Sequence, residues 1–376
     1  MELVLSRPLL KRIAQKMATP NPLADSSSDP TPVSSKTYTI AGVHTTVYGL
    51  DELASSAKEV AVLWLLHPRL QVQSIMAPIA AASIHDWNGR SASKSKGLIA
   101  VSFDQRNHGT REVNPLANES WKKKNPTHAQ DMFSIFRMSS AIFSLVATLM
   151  PTWTDGTAQD TSMLIDFLSS YIFPDSSRTT TKHLVLGISL GGHSTWQCIL
   201  HDPRITTAVV VIGCPDYKFL MTDRAKKSKL STWTSSEGKD FLGSTDYPKG
   251  LCDATDKWDP KSFLVGDKLQ PTEDQKKTLR PLLKEKLGGK HIMCLSGGKD
   301  KLVPYTCSAP FLDWLKTGLD KEGGWFNDQG IVLEDIVDET AGHEYSAKMK
   351  VEAVRFISEN LAGESSLKAG TRTSKI

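Results

Sequence analysis

The stretch His183-Leu184-Val185-Leu186-Gly187-Ile188-Ser189-Leu190-Gly191-Gly192-His193 decides how this chain is read. Leu184, Val185, Leu186 and Ile188 make a short apolar run, as a strand buried on both faces requires. From 192 to 201 the pattern is helical. Between the two lies G-x-S-x-G, from Gly187 to Gly191. A strand before and a helix after are the context in which a tight turn lifts a serine hydroxyl above a sheet. The glycines permit close backbone approach, and a side chain at either position would clash. The five-residue pattern alone is common by chance; set between a buried strand and a helix in mid-chain, it is much rarer. Ser189 is therefore read as a nucleophile rather than an ordinary turn serine.

Working outward, short β-rich runs alternate with helical stretches from residue 37 onward. Residues 37–47 read as an early hairpin, and VAVLWLL at 60–66 as a fully buried strand. Further strands are expected at 98–104, 183–189, 207–213, 291–297 and 331–338. Helices are expected at 74–82, 129–149, 161–172, 192–201, 304–319 and 345–361. This alternation predicts parallel strands with crossover helices on both faces. Residues 215–288 break the rhythm. They are Lys-rich, carry Pro248, Pro260, Pro271 and Pro281, and hold no long apolar run. They are expected to form a cap over the carboxyl edge of the sheet, where ligands of such sheets bind.

A serine becomes a useful nucleophile when a base takes its proton and a carboxylate orients the base. Where a serine sits on such an elbow, the acid and then the histidine follow it in the chain. Gly297-Gly298-Lys299-Asp300 follows one strand, and Ala341-Gly342-His343-Glu344 follows the last strand before the final helix. His343 is the expected general base and Asp300 the orienting acid, with Asp216 as its rival. A developing oxyanion needs two backbone donors. Leu190, directly after the nucleophile, is one. The loop His67-Pro68-Arg69 supplies the other, and because proline has no N–H the candidate is Arg69. His67 reads as a loop-ordering histidine. The loop Asp104-Gln105-Arg106-Asn107-His108-Gly109 reads as bracing for the site floor, and His128 as helix entry or site residue.

Taken together, Asp104-x-Arg106-x-His108-Gly109, the elbow at Ser189, Asp300 and His343 resemble the α/β-hydrolase family over residues 37–362. The resemblance implies a mostly parallel sheet flanked by helices, with an inserted cap. It also implies a serine hydrolase acting on a carboxylic ester or thioester without a cofactor. The DQRNHG loop, the NPTHAQDMFS segment and the SKI end are similar to fungal α/β-hydrolases, including peroxisomal ones of host-selective toxin pathways. That likeness implies a role in secondary metabolism. Two features depart from the family: His67-Pro68 stands where His-Gly is usual, and a basic leader precedes the domain. The alternatives are acyl transfer by the same three residues, or a non-catalytic binding protein on the same scaffold. Epoxide hydrolysis and dehalogenation are disfavoured, because relatives performing them carry a carboxylate where this chain has Ser189.

Composition narrows the classes further. The 376 residues are 39% hydrophobic and 23% charged, ample for a sizeable core. Lys plus Arg at 45 against Asp plus Glu at 41 leaves +4, which does not argue for a nucleic-acid partner. Five cysteines, widely spaced and without a C-x-x-C pair, argue against a disulfide scaffold or structural zinc. No G-x-G-x-x-G or phosphate-loop pattern occurs, so no cofactor is expected. The partner expected is a small acyl ester or acyl thioester.

The ends read as non-domain sequence. Residues 1–36 are expected to be a disordered leader, with basic residues first and a Pro/Ser-rich stretch after, in which Leu23 and Val33 are the only large apolar residues. Pro8 and the basic residues interrupt any secretory apolar core; a mitochondrial-type presequence is the rival reading. Residues 363–376 are expected to be a flexible tail ending in Ser374-Lys375-Ile376, similar to the Ser-Lys-Leu address read by the peroxisomal import receptor. The expected location is the peroxisome, with the cytoplasm next. The apolar run 132–150 contains Arg137 and four serines, and is read as a buried or amphipathic helix rather than a membrane span.

Overall fold

The computed structural model describes residues 21–23, 30–137, 156–266, 269–363 and 370–376. Strands β1 (Ser35–Ile40) and β2 (Val43–Tyr48) form the expected hairpin, turning through Ala41-Gly42, both at positive φ. β2 joins the sheet antiparallel to β4 (Lys96–Phe103). From there every pairing is parallel: β4 with β3 (Glu59–Leu66), β3 with β5 (Thr179–Ile188), then β6 (Ile205–Val211), β7 (His291–Gly297), β8 (Val332–Asp338) and β9 (Gly370–Lys375). The order across the sheet is β1-β2-β4-β3-β5-β6-β7-β8-β9. A mostly parallel sheet with this order and with helices on both faces is the α/β-hydrolase fold.

The strand period of two divides the core. On β3, Val60, Val62, Trp64 and Leu66 enter one apolar cluster, while Ala61, Leu63 and Leu65 enter another on the opposite face. The first cluster is covered by α3 (Thr157–Ile172), α4 (Leu190–His201), α9 (Glu273–Leu287) and α10 (Tyr305–Leu319), through side chains such as Leu164, Trp196, Leu283 and Phe311. The second is covered by α1 (Ala77–Asn88) and α11 (Ala347–Ala362), through Ile84, Trp87, Phe356 and Ile357. Both faces of the central strands are thus dry, which is why their sequences read as continuous apolar runs rather than alternating ones.

Between β6 and β7 the chain forms α5 (Tyr217–Ser228), α6 (Ser231–Thr234), α7 (Lys249–Trp258), α8 (Pro260–Leu264) and then α9. Tyr217, Phe241, Tyr247 and Trp258 from this insertion pack with Phe133 and Phe136 of α2 (His128–Phe136) in a third apolar cluster. These four aromatics belong to that core instead of lining the pocket at Ser189. The expected helix at 129–149 is α2 as far as Phe136, and the rest of it, with most of the 132–150 run, lies outside the described residues. No helix among the described residues is long and apolar enough to cross a membrane.

Two expectations about the ends need correction. The leader is not uniformly without structure. Leu23 and Val33, the only large apolar side chains of its Pro/Ser-rich stretch, pack against the second core cluster, and the buried Pro22 accepts a hydrogen bond from Tyr345 N–H at 2.8 Å. Ser34 binds the Glu52 carboxylate through its N–H and its hydroxyl. The tail is not free along its whole length either. Its last residues pair with β8, Arg372 reaches Glu334 at 3.1 Å and Glu352 at 3.3 Å, and Ile376 donates to the Val337 carbonyl at 3.0 Å. An uncovered β8 would present a row of unpaired backbone groups, and β9 satisfies them. Residues 1–20 and 364–369 lie outside the described residues.

Candidate active site

Ser189 sits between β5 and α4 with φ 55° and ψ −110°. A non-glycine residue held there stores strain on the order of 1–3 kcal/mol, and surrounding contacts must hold it. They do. Its N–H donates to the Val211 carbonyl at 2.9 Å, and the Ser189 carbonyl accepts His193 N–H at 3.1 Å. A Cβ on Gly187 would lie 2.0 Å from the Gly191 carbonyl oxygen, and one on Gly191 2.0 Å from that of Leu66. The glycine spacing in the sequence thus reflects how closely the elbow approaches itself and β3.

The serine hydroxyl lies 2.9 Å from His343 Nε2, and His343 Nδ1 lies 2.7 Å from Asp300 Oδ2. The other oxygen of Asp300 accepts the N–H groups of Leu302 (2.8 Å) and Val303 (2.9 Å), which hold the buried carboxylate in one orientation. The loops carrying acid and base are tied together: Lys299 N–H donates to the Ala341 carbonyl and Gly298 N–H to that of Asp338. Asp338 in turn holds Thr340 and Ser346. Asp216, the rival acid, instead caps α5, accepting Phe219 N–H at 3.0 Å.

Leu190 is the first residue of α4, so its N–H has no acceptor within the helix. Arg69 and Pro68 line the pocket beside Ser189 and Leu190, and no acceptor for Arg69 N–H is found among the described residues. The loop that carries them is held by His67. This fully buried ring contacts the Pro68 carbonyl through Nδ1 at 2.8 Å and accepts Gln105 N–H on Nε2 at 2.9 Å. Nε2 is therefore the bare nitrogen, and burial, with His108 nearby, pulls the ring down to about 4. It is a neutral brace, as expected of a loop-ordering histidine.

The 104–109 loop has the bracing role read for it. Asp104 accepts Gln73 N–H at 2.7 Å and both donors of Thr110, while Arg106 and Arg111 share the carboxylate of Asp160. Gln105 adds a link that the sequence did not single out. Its amide nitrogen reaches the His67 carbonyl, and its oxygen accepts the Ser194 hydroxyl at 2.9 Å, joining the 67–69 loop to the nucleophile's helix. His128 opens α2, buried, with Nδ1 on the Glu119 carbonyl and its ring edge-on to Trp121. It makes no contact with the serine–histidine pair.

Two features of the site were not anticipated. Pro22 of the leader helps close the pocket, leaving free space beside the serine of ≈ 10 Å³, room for about one water. Arg224 of α5 stands in the pocket wall with no carboxylate within ion-pair distance among the described residues, its Nε donating to the Leu302 carbonyl at 3.1 Å. A single arginine in the run Asp223-Arg224-Ala225-Lys226-Lys227 reads as part of a solvated basic face, which is why the sequence hid it. Among the described residues no group of three or more His, Cys, Asp or Glu is gathered closely enough to hold a metal ion.

No protein-family model matches the chain, and no curated protein does. Its path resembles that of TT1662 from Thermus thermophilus, at 17% identity and a TM-score of 0.49 over 88% of this chain and 98% of that one. It also resembles 2,6-dihydroxy-pseudo-oxynicotine hydrolase, at 13% identity and a TM-score of 0.46 over 91% and 71%. A third resemblance is to the acylaminoacyl peptidase of Pyrococcus horikoshii, at 11% identity and a TM-score of 0.42 over 94% of this chain but only 42% of the peptidase. Likeness at this level carries no activity from those proteins to this one.

Proposed function

We propose that the chain is a serine hydrolase that cleaves a carboxylic ester or thioester. One observation carries the reading: Ser189 Oγ, His343 and Asp300 stand in hydrogen-bonded sequence at 2.9 and 2.7 Å, with the serine on a strained strand-to-helix turn. In this reading Ser189 Oγ attacks the acyl carbonyl while His343 Nε2 takes the hydroxyl proton. Asp300 stabilises the imidazolium through Nδ1. The negative charge that moves to the carbonyl oxygen is met by the N–H groups of Leu190 and Arg69. The tetrahedral species collapses, and the alcohol or thiol departs with the proton from His343. Water, deprotonated by the same ring, then attacks the acyl-enzyme. The acid is released and the proton returns to Ser189. The His67-Pro68 sequence leaves this scheme intact, because the donor required is Arg69 N–H.

The test is hydrolysis of a panel of 4-nitrophenyl esters and acyl thioesters by the wild type and by Ser189→Ala, with products resolved in the presence of a competing alcohol. Release of free acid that vanishes in the variant supports the reading. Ester product formed with the alcohol at the expense of acid would instead make the chain an acyltransferase. Full activity in Ser189→Ala would overturn both.

The similarity to fungal α/β-hydrolases of toxin pathways leads us to place the acyl group in secondary metabolism. We further propose that Ser374-Lys375-Ile376 directs the chain to the peroxisome. Since these residues belong to β9 and its end, the import receptor would have to take them off β8 to read them. A fluorescent protein fused to the amino end of the chain should form puncta that become diffuse when the last three residues are deleted. Unchanged diffuse signal in both would dismiss the address.

A further inference from the structure

Arg69 and Arg224 come from different elements, the loop after β3 and helix α5, yet both line the pocket with Ser189 and His343. Their hydrogen-bond partners are all neutral. Arg69 Nη1 donates to the Asn118 carbonyl, Arg224 Nε to that of Leu302, and Arg224 Nη1 lies 3.1 Å from Met132 Sδ. Among the described residues no carboxylate stands within ion-pair distance of either. Glu119 acts on Arg69 only at longer range. Asp300, which acts on Arg224, is already committed to His343 and two amides. Several other partly buried arginines among the described residues do have carboxylate partners: Arg106 and Arg111 share Asp160, Arg204 has Asp202, and Arg355 has Glu334, Glu352 and Glu359, whereas Arg178, outside the pocket, donates to the Ala54 carbonyl.

A guanidinium keeps its charge, and taking it out of water without a counter-ion is costly. Here two of them face one small space and repel each other. Burial first, and then the neighbouring Arg224, pull Arg69 down to about 10. What would relieve both is an anion held between them, and the planar fork of arginine matches a carboxylate in a bidentate fashion.

We propose that Arg69 and Arg224 form a carboxylate-binding subsite, so that the ester or thioester cleaved at Ser189 carries a free carboxylate close to its scissile bond. A half-ester or half-thioester of a dicarboxylic acid is the simplest member of that class. The carboxylate site stands on its own geometry; the cleavage rests on the serine-hydrolase reading above.

Two measurements separate them. The first is calorimetric binding of glutarate, glutaramide and inorganic phosphate to the full-length Ser189→Ala protein, and to the same protein carrying Arg224→Gln or Arg224→Lys. Glutarate should bind about 30-fold or more tightly than glutaramide and more tightly than phosphate. The preference should disappear with Arg224→Gln and be partly kept with Arg224→Lys, which retains charge but lacks the fork. Equal binding of glutarate and glutaramide, tighter binding of phosphate, or indifference to Arg224→Gln in a protein with unchanged circular dichroism would overturn the subsite. The second is kcat/KM of the wild type for the 4-nitrophenyl half-ester of glutaric acid against 4-nitrophenyl valerate. The half-ester should be preferred by about 30-fold, with the preference lost in Arg224→Gln. Preference for valerate would overturn the proposed substrate class. Glutarate binding through Arg224 without turnover of either ester would keep the subsite and remove the hydrolase reading.

Discussion

Asp300 divides its two oxygens between distinct tasks, one holding His343 Nδ1 and the other holding the turn through Leu302 and Val303 N–H. Asp300→Asn should therefore keep the fold but let the ring adopt the wrong tautomer. A loss in kcat on the order of 10⁴ is expected, measured on any ester the wild type turns over. A loss below 10-fold would mean that another group orients the base. Gly191 makes a structural claim at the same scale. A methyl group there meets the Leu66 carbonyl oxygen at 2.0 Å, and neither backbone can yield without displacing β3 or α4. Gly191→Ala should cost about 3 kcal/mol or more, read as a lower urea midpoint, and should abolish serine reactivity. These residues were legible in the sequence because each stands at a strand end, where a short motif and its flanking pattern agree. Arg224 and Pro22 were not. Their importance comes from what lies across from them in space, and neither has a local pattern that says so.

Among the elements, the strands of the central sheet were read to within four residues at each end, the largest difference being the start of β5 at Thr179 rather than 183, since runs buried on both faces leave a strong apolar signature. Where the reading failed, the contacts are few and distant in sequence. Leu23 and Val33 are two isolated apolar residues in a Pro/Ser-rich stretch, and the cluster they pack against is assembled from elements remote in sequence. β9 (Gly370–Lys375) is polar and short, and exists by pairing with β8 and by the Arg372 contacts to Glu334 and Glu352. The leader's placement has a kinetic consequence. Pro22 lines the pocket and is tied to Tyr345, two residues beyond His343. Deleting residues 1–29 should raise kcat/KM for bulky esters several-fold while leaving the reactive serine intact. An unchanged or lower kcat/KM, in a deletion variant whose melting temperature is preserved, would mean that the leader does not limit entry.

At the scale of the whole molecule, several histidines are kept neutral by burial. The first cause in each case is desolvation, which pulls His67, His183 and His201 down to about 4 and His193 to about 3. Their ordinary value of 6.5 is recovered on unfolding. Between the two values the unfolded chain binds more protons than the folded one, so stability rises with pH there and is lost as pH falls. Each unit of difference is worth about 1.4 kcal/mol per histidine as an upper bound. The melting temperature should be flat above pH 7 and fall steadily from about pH 6.5 towards pH 4. A constant melting temperature from pH 7 to pH 4.5 would show that these rings are not held neutral by the fold. The balance of Lys plus Arg against Asp plus Glu, 45 to 41, gave no hint of this, because formal charge does not register which histidines are dry.

The central claim is that Ser189 is an activated nucleophile. It is tested most directly by treating the full-length protein with a fluorophosphonate and locating the adduct by intact mass and peptide mapping, beside a Ser189→Ala control. A single adduct, on Ser189 and absent from the control, is the expected result. A folded protein that takes no adduct, or takes one on a different residue, would contradict the claim.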